Sequence, residues 1–133
     1  MKYLPKTLTF LFLLFPALAF GEPVVWIKNT VISDKFFYLV TKKEIIPEGG
    51  DLFISDKSVP EYTIDCQGNE CQVNLVCVFD GRESPEEIRI QYRLGYGITD
   101  VLGACVSSGS VFLPKWDHIP FGEISVVKYA PKK

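Results

Sequence analysis

The sequence lacks any specific signature of a catalytic, nucleotide-binding or metal-binding site. It has one histidine, His118, and its serines lie in no nucleophile-elbow motif. Gly95 and Gly97 lie outside the strand–loop–helix setting of a phosphate-binding loop. Asp51 and Asp56 do not reproduce the spaced oxygen ligands of a calcium loop. We therefore expect no cofactor and no bound metal.

Long apolar runs are missing except at the N-terminus. There, two lysines precede the apolar run 8–15, and Ala17 and Ala19 place small residues before a cut after position 19. This three-zone pattern is typical of a cleavable secretory signal peptide. Because a membrane-spanning helix needs about 20 apolar residues, we expect no stable membrane anchor after cleavage. The sequence predicts a signal peptide over 1–19 and a single exported β-rich domain over 20–133.

An excess of positive charge is also missing. The chain has 14 basic and 16 acidic residues. Cleavage after residue 19 removes Lys2 and Lys6, which leaves 12 basic and 16 acidic residues and a net charge of −4. Nucleic-acid binding depends on clustered basic side chains that neutralise phosphates, so we expect no nucleic-acid partner.

Four cysteines stand out against this background, at Cys66, Cys71, Cys77 and Cys105. An even number in a small exported chain predicts disulfides, although spacing alone leaves three connectivities open. A zinc site is less compatible because Cys105 stands far from the other three. Strand alternation favours Cys66–Cys71 across a hairpin mouth and Cys77–Cys105 inside the core. The second bridge closes the longer loop and should contribute about 3–4 kcal/mol of stability.

The hairpin prediction rests on a register around the turn-like tetrapeptide 67–70. A turn there places Ile64 opposite Val73 and Tyr62 opposite Leu75. All four side chains then share the buried face with the first disulfide, because side chains alternate between the two faces of a strand.

Residues 88–96 alternate strictly between apolar and polar side chains. The preceding segment 84–87 looks like a helix start, but the longer period-two pattern favours a half-exposed strand. Tyr92 and Tyr96 should face inward on this strand. The three polar residues between the apolar ones, Arg89, Gln91 and Arg93, should lie on the exposed face. They are candidates for binding a partner, although a solvated sheet face is the simpler interpretation.

Short apolar runs recur along the rest of the chain and are separated by turn residues. These runs lie at 24–27, 36–40, 52–55, 111–113 and 124–129. Such spacing predicts an all-β or mainly β fold, a small antiparallel sandwich or barrel stapled by two disulfides.

One loop carries the remaining candidate site residues. Between Pro114 and Pro120 the chain presents Trp116, Asp117 and His118. Trp116 is a candidate binding residue, and Asp117 with His118 is a weak catalytic candidate, since adjacent loop residues seldom adopt the geometry of an acid–base pair. A surface loop whose tryptophan packs on the edge of the domain is the simpler interpretation.

These observations favour an exported, non-enzymatic binding domain of the bacterial periplasm or cell surface. A protein partner is expected, with inhibitor, immunity and secretion-accessory roles all open. Two alternatives remain: a small secreted hydrolase that uses Asp117 and His118, and a structural subunit of a surface fibre. Bacterial origin fits the absence of Asn-x-Ser/Thr sites.

Overall fold

The computed structural model describes residues 24–32, 34, 36–107 and 109–129. The predicted signal peptide over 1–19 lies outside these residues. The described residues form ten strands and one 3-10 helix, Asp56–Tyr62. The strands are β1 Val24–Asn29, β2 Tyr38–Val40, β3 Ile45–Ile46, β4 Asp51–Ser55, β5 Glu70–Phe79, β6 Arg82–Arg93, β7 Gly97–Gly103, β8 Cys105–Ser107, β9 Ser110–Trp116 and β10 Gly122–Tyr129.

The strands form two five-stranded sheets that pack as a β-sandwich. Sheet 1 has the order β4-β1-β10-β9-β8, and sheet 2 has the order β3-β2-β5-β6-β7. Every pairing is antiparallel except that of β1 with β10, which is parallel. The predicted mainly antiparallel, disulfide-stapled sandwich is therefore confirmed. No helix in the described part of the chain is long and apolar enough to cross a membrane.

Inward-facing side chains of the two sheets form one hydrophobic core. In β5, buried and partly exposed residues alternate, as a strand with one solvent-facing side requires. Phe37, Phe79 and Phe112 pack together in this core, with ring centroids 4.8 to 5.0 Å apart. Residues 36–40, an apolar run that predicts a strand, are in strand conformation only over β2, and Phe36 is exposed.

Both predicted disulfides are present. Cys77 and Cys105 are fully buried and join β5 of sheet 2 to β8 of sheet 1 through the core. Cys66 and Cys71 are joined where the chain enters β5. No free cysteine occurs in the described part of the chain. Two disulfides in so small a domain are typical of a protein that matures outside the cytoplasm.

The longest strands form the β5–β6 hairpin at the centre of sheet 2. Its two-residue turn places Asp80 and Gly81 at positive φ angles of 53° and 83°. This is the geometry of a type I′ turn, whose twist matches that of the flanking strands. The helix-start signal at 84–87 does not produce a helix, because these residues lie inside β6, where the register shifts and Glu87 then pairs with Val76 of β5.

The register predicted for the Cys66–Cys71 hairpin is wrong. Thr63, rather than Ile64, bridges to Val73, and Tyr62 ends the 3-10 helix. As a result Ile64 is 84% exposed instead of buried. The 3-10 helix, with Pro60 inside it, extends to Tyr62 and so occupies the start of the segment that was predicted to be a strand.

The inward orientation predicted for Tyr96 is also wrong, whereas Tyr92 is buried as expected. Strand β6 ends at Arg93, so Tyr96 falls in the turn to β7 and is 52% exposed. The Asp56 carboxylate fixes this turn, since its Oδ1 accepts the Tyr92 hydroxyl and the Gly95 backbone N–H, both at 2.9 Å.

Candidate functional site

The outer face of sheet 2 carries an ordered set of polar side chains. The Gln91 amide donates to Gln72 at 2.8 Å, and the Gln72 amide in turn donates to Asn74 at 2.8 Å. Beside this chain the Arg93 guanidinium donates to the Glu70 carboxylate at 2.8 Å. These bonds, of which Gln91–Gln72 and Arg93–Glu70 are cross-strand, fix the side chains in place, although a surface ion pair such as Arg93–Glu70 contributes little stability.

Arg89 occupies the middle of the same face. It lies between Asn74 on β5 and Leu102 on β7 in the strand register. Its guanidinium forms no hydrogen bond or ion pair with another described residue. The side chain of Arg89 is partly buried, and its guanidinium N–H donors are available to a partner.

Next to these polar residues, sheet 2 has a groove of about 420 Å³. Such a volume falls within the range of about 300–1,000 Å³ that is typical of ligand pockets. Its apolar lining consists of Val40, Tyr62, Ile64 and Val76. Its polar lining consists of Thr41, Lys42, Asp65, Gln72, Asn74, Glu83 and Glu87. The groove thus combines strands β2, β5 and β6 with the segment that follows the 3-10 helix.

Lys42 and Lys43 bind the chain segment that forms one wall of the groove. Lys42 Nζ donates to the Thr63 backbone carbonyl at 3.1 Å. Lys43 Nζ pairs with the Glu61 carboxylate and lies 5.4 Å from the centre of the Tyr62 ring. The hydrogen bond from Lys43 to Glu61, and then the charge of that carboxylate, raises the pKa of Lys43 above its usual 10.5. These contacts hold the turn before β3 against the chain that leaves the 3-10 helix.

The groove is electrostatically unbalanced. Asp65, Glu83 and Glu87 supply three carboxylates and Lys42 supplies one ammonium, a formal charge of −2. None of the three carboxylates forms a hydrogen bond or an ion pair with another described residue. Since the Lys42 ammonium already binds a backbone carbonyl, the carboxylates are left to solvent or to a partner.

The loop with Trp116, Asp117 and His118 lies on sheet 1. The Trp116 ring packs against the core, and its Nε1 donates to the Ile119 carbonyl at 2.9 Å. The His118 ring packs against that ring at a tilt of 45°, with a centroid separation of 4.6 Å, and His118 has a positive φ of 65°. The side chains of Asp117 and His118 form no hydrogen bond or ion pair with a described residue. The loop shows no acid–base pair, and the catalytic role of Asp117 and His118 remains a prediction.

A second cleft, of about 510 Å³, lies between the β5–β6 turn and strands β8 to β10. Most of its lining is polar or charged, and it includes Arg82 and Lys128. Lys128 Nζ is already paired with Asp34 at 2.6 Å. Among the described residues, its unpaired charged groups, Asp80, Arg82 and Glu83, are of both signs, whereas the unpaired charged groups of the groove on sheet 2 are all carboxylates.

The structure brings together only part of the predicted site. Arg89, Gln91 and Arg93 share the outer face of sheet 2, whereas Trp116 belongs to sheet 1. Sequence reasoning missed the groove residues, because Val40 and Ile64 looked like strand core. Val40 and Ile64 lie near the groove residues of β6 only because segments distant in the sequence pair with one another, and the sequence carries no local signal for such pairing.

Neither a metal centre in the described residues nor similarity to a known protein identifies the site. Within residues 24–32, 34, 36–107 and 109–129, no group of three or more His, Cys, Asp or Glu side chains could hold a metal ion. Comparison of the chain with protein-family models, curated proteins and solved structures found no match. The functional assignment therefore rests on the geometry of the groove.

Proposed function

We propose that this protein is an exported, non-enzymatic binding domain that recognises a protein partner in the bacterial periplasm or at the cell surface. The observation that carries the proposal is the groove on the outer face of sheet 2, which joins an apolar floor to unpaired carboxylates. A surface that combines apolar area with unpaired polar groups is typical of interfaces, whose core is apolar and whose rim is polar.

Two observations support export. The first residues have the charged, apolar and small-residue zones of a cleavable leader. The two disulfides need an oxidising compartment to persist. Inhibitor, immunity and secretion-accessory roles all suit a small, disulfide-stapled domain with one binding face.

The chemistry of the groove supports binding rather than turnover. Its lining contains neither a histidine nor a thiol, and its one hydroxyl outside Tyr62 is that of Thr41. The Thr41 hydroxyl donates to the Glu44 carbonyl and accepts from the Lys43 and Glu44 backbone N–H groups. It is thus committed to its own turn, which leaves no nucleophile beside a base.

A matched pair of surface variants tests this proposal in the full-length chain, expressed with its own leader and a C-terminal tag. Val76 on the groove floor and Val127 on the outer face of sheet 1 are both outward-facing, partly buried strand valines. Each is changed to glutamine, which alters shape and polarity but not charge. Chemical cross-linking in intact envelopes then compares the partners recovered with each variant.

We expect Val127→Gln to recover the same stoichiometric protein as the wild type. Val76→Gln should recover at least about fivefold less of that protein, because a residue that contributes about 1 kcal/mol to an interface changes the affinity by this factor. Far-ultraviolet circular dichroism verifies that both variants fold. Equal recovery by the two variants would refute the groove as the binding surface. Absence of any stoichiometric partner, together with turnover on a substrate panel, would refute the binding function.

A further inference from the structure

We propose that the groove on sheet 2 binds an extended, cationic segment of another protein, with aliphatic stems on the groove floor and lysine or arginine head groups against its carboxylates. This inference rests on the proposed function and adds the chemistry of the partner. Three features of the groove point to such a segment.

The first feature is the row of side chains across sheet 2. Ile45, Val40, Val76 and Glu87 are successive cross-strand neighbours on β3, β2, β5 and β6. Three apolar residues therefore lead to one carboxylate. The distance from Val40 to Glu87 covers two strand spacings, about 10 Å. A lysine or arginine side chain has the same sequence of parts, an apolar stem that ends in a cation, and such stems pack along apolar surfaces.

The second feature is the placement of the carboxylates. Glu83 and Glu87 lie on β6 along one side of the groove, and Asp65 follows the 3-10 helix on the other side. None is paired within the described chain. A cation near either side thus meets carboxylates that pair with no lysine or arginine of the described chain, and the lining keeps a formal charge of −2 when Lys42 is counted, whereas an acidic segment is repelled. A hydrophobic segment without cations would leave these carboxylates partly desolvated and unpaired, at a cost to binding.

The third feature is a donor for the backbone of the segment. In the amide chain Gln91–Gln72–Asn74 the last member accepts through its Oδ1, and its Nδ2 has no partner among the described residues. Asn74 lines the groove. Its free N–H group can donate to a backbone carbonyl of a segment that lies in extended conformation across the sheet.

The groove is also preformed. The bonds from Lys42 to Thr63 and from Lys43 to Glu61 fix one wall, and the β5–β6 ladder fixes the floor. Because these parts are ordered before binding, little conformational entropy is lost on their side of the interface. Ile64, 84% exposed on that wall, then supplies apolar area to the bound segment.

Synthetic peptides test the proposal directly on the purified, oxidised protein. The probe is a short capped peptide of alternating lysine and valine, and the comparison is a peptide of alternating glutamate and valine. Isothermal titration calorimetry measures the affinity of wild type, Glu83→Gln, Glu87→Gln and the double variant. Asp117→Asn is the matched control, because Asp117 is an exposed carboxylate without a partner, on the other sheet.

We expect the lysine peptide to bind and the glutamate peptide not to bind. Each glutamate-to-glutamine change should weaken binding about two- to fivefold, the range of a single exposed ion pair, and Asp117→Asn should leave it unchanged. Binding should weaken further when salt is raised to about 0.15 M. Equal binding by the double variant and the wild type, an equal loss in Asp117→Asn, or binding of the glutamate peptide would each overturn the proposal.

The cross-linking experiment with Val76→Gln separates this inference from the proposed function. If Val76→Gln loses its natural partner while Glu83→Gln and Glu87→Gln keep it fully, the groove is a binding surface but its occupant is not cationic. Only the inference then falls. If neither kind of variant changes partner recovery, both proposals fall together.

Discussion

The two disulfides should contribute unequally to stability, because they close loops of different length. The residues joined are separated by 28 positions for Cys77–Cys105 and by 5 positions for Cys66–Cys71. Loop-closure entropy of the unfolded chain then gives about 3.6 kcal/mol for the first bridge and about 2.1 kcal/mol for the second. Cys77 and Cys105 are also fully buried, so their replacement by alanine adds the cost of a core cavity.

Urea denaturation of two double-alanine variants measures this difference. Trp26 and Trp116, both on sheet 1, report unfolding by fluorescence. With a denaturant slope of about 1.5 kcal/mol per M, loss of the core bridge should lower the midpoint by about 2.4 M, and loss of the hairpin bridge by about 1.4 M. The core variant loses a large share of the 5–15 kcal/mol that is typical of a domain.

The wild type under reducing conditions provides the control, since it should approach the sum of both losses without any change of sequence. The argument would be refuted if the hairpin variant were destabilised as much as the core variant. It would also be refuted if the core variant unfolded at the wild-type midpoint with an unchanged slope.

Three further substitutions test local features of the fold. A Cβ on Gly97, at a φ of 120°, would lie 2.4 Å from the Pro120 backbone oxygen, whereas a Cβ on Gly95, at a φ of 83°, would meet open space. We expect Gly97→Ala to lower the unfolding free energy measured in urea by about 2 kcal/mol more than Gly95→Ala does. Burial, and then the bond to Asp56, raises the pKa of Tyr92 above its usual 10.0. The phenol therefore stabilises the fold fully below about pH 10 and loses this contribution as the pH rises toward the raised pKa of Tyr92. The difference in unfolding free energy between wild type and Tyr92→Phe should be constant up to about pH 9 and narrow steadily above about pH 10; a difference that stays constant above about pH 10 would contradict the assignment. Ile64→Ser should change the unfolding free energy by less than about 0.5 kcal/mol, whereas a core isoleucine would cost several times more.

The sequence was sufficient for the fold class, because that depends on local alternation. Both disulfide pairings were also correct, although the register from which Cys66–Cys71 was predicted was not. The period of two over 88–96 outweighed a local helix-start signal at 84–87, and β6 indeed runs through 84–87 and on to Arg93. The same alternation placed Cys71 and Cys77 on one face of β5. The parallel pairing of β1 with β10 was not predictable, since it joins the first and last strands of the described domain and has no local pattern.

The errors occur where local geometry interrupts the alternation. Tyr96 continues the apolar period of β6, but the strand ends three residues earlier at Arg93. Glycines at 95 and 97 with positive φ angles turn the chain there. A pattern of side chains reports the face of a residue only as long as the strand lasts, so its final member is the least reliable.

The candidate site was the least predictable part of the molecule, and the reason is the same interruption. If the segment before Cys66 had continued as a strand, Ile64 would have been buried opposite Val73. The 3-10 helix that contains Pro60 turns the chain instead, so that Ile64 points outward and lines the groove beside β5. In the isolated domain the apolar side chain of Ile64 contacts water, which is unfavourable. A partner that covers the side chain removes this contact and so favours the bound state. The residue that breaks the sequence-derived register therefore also lines the surface that we propose for binding.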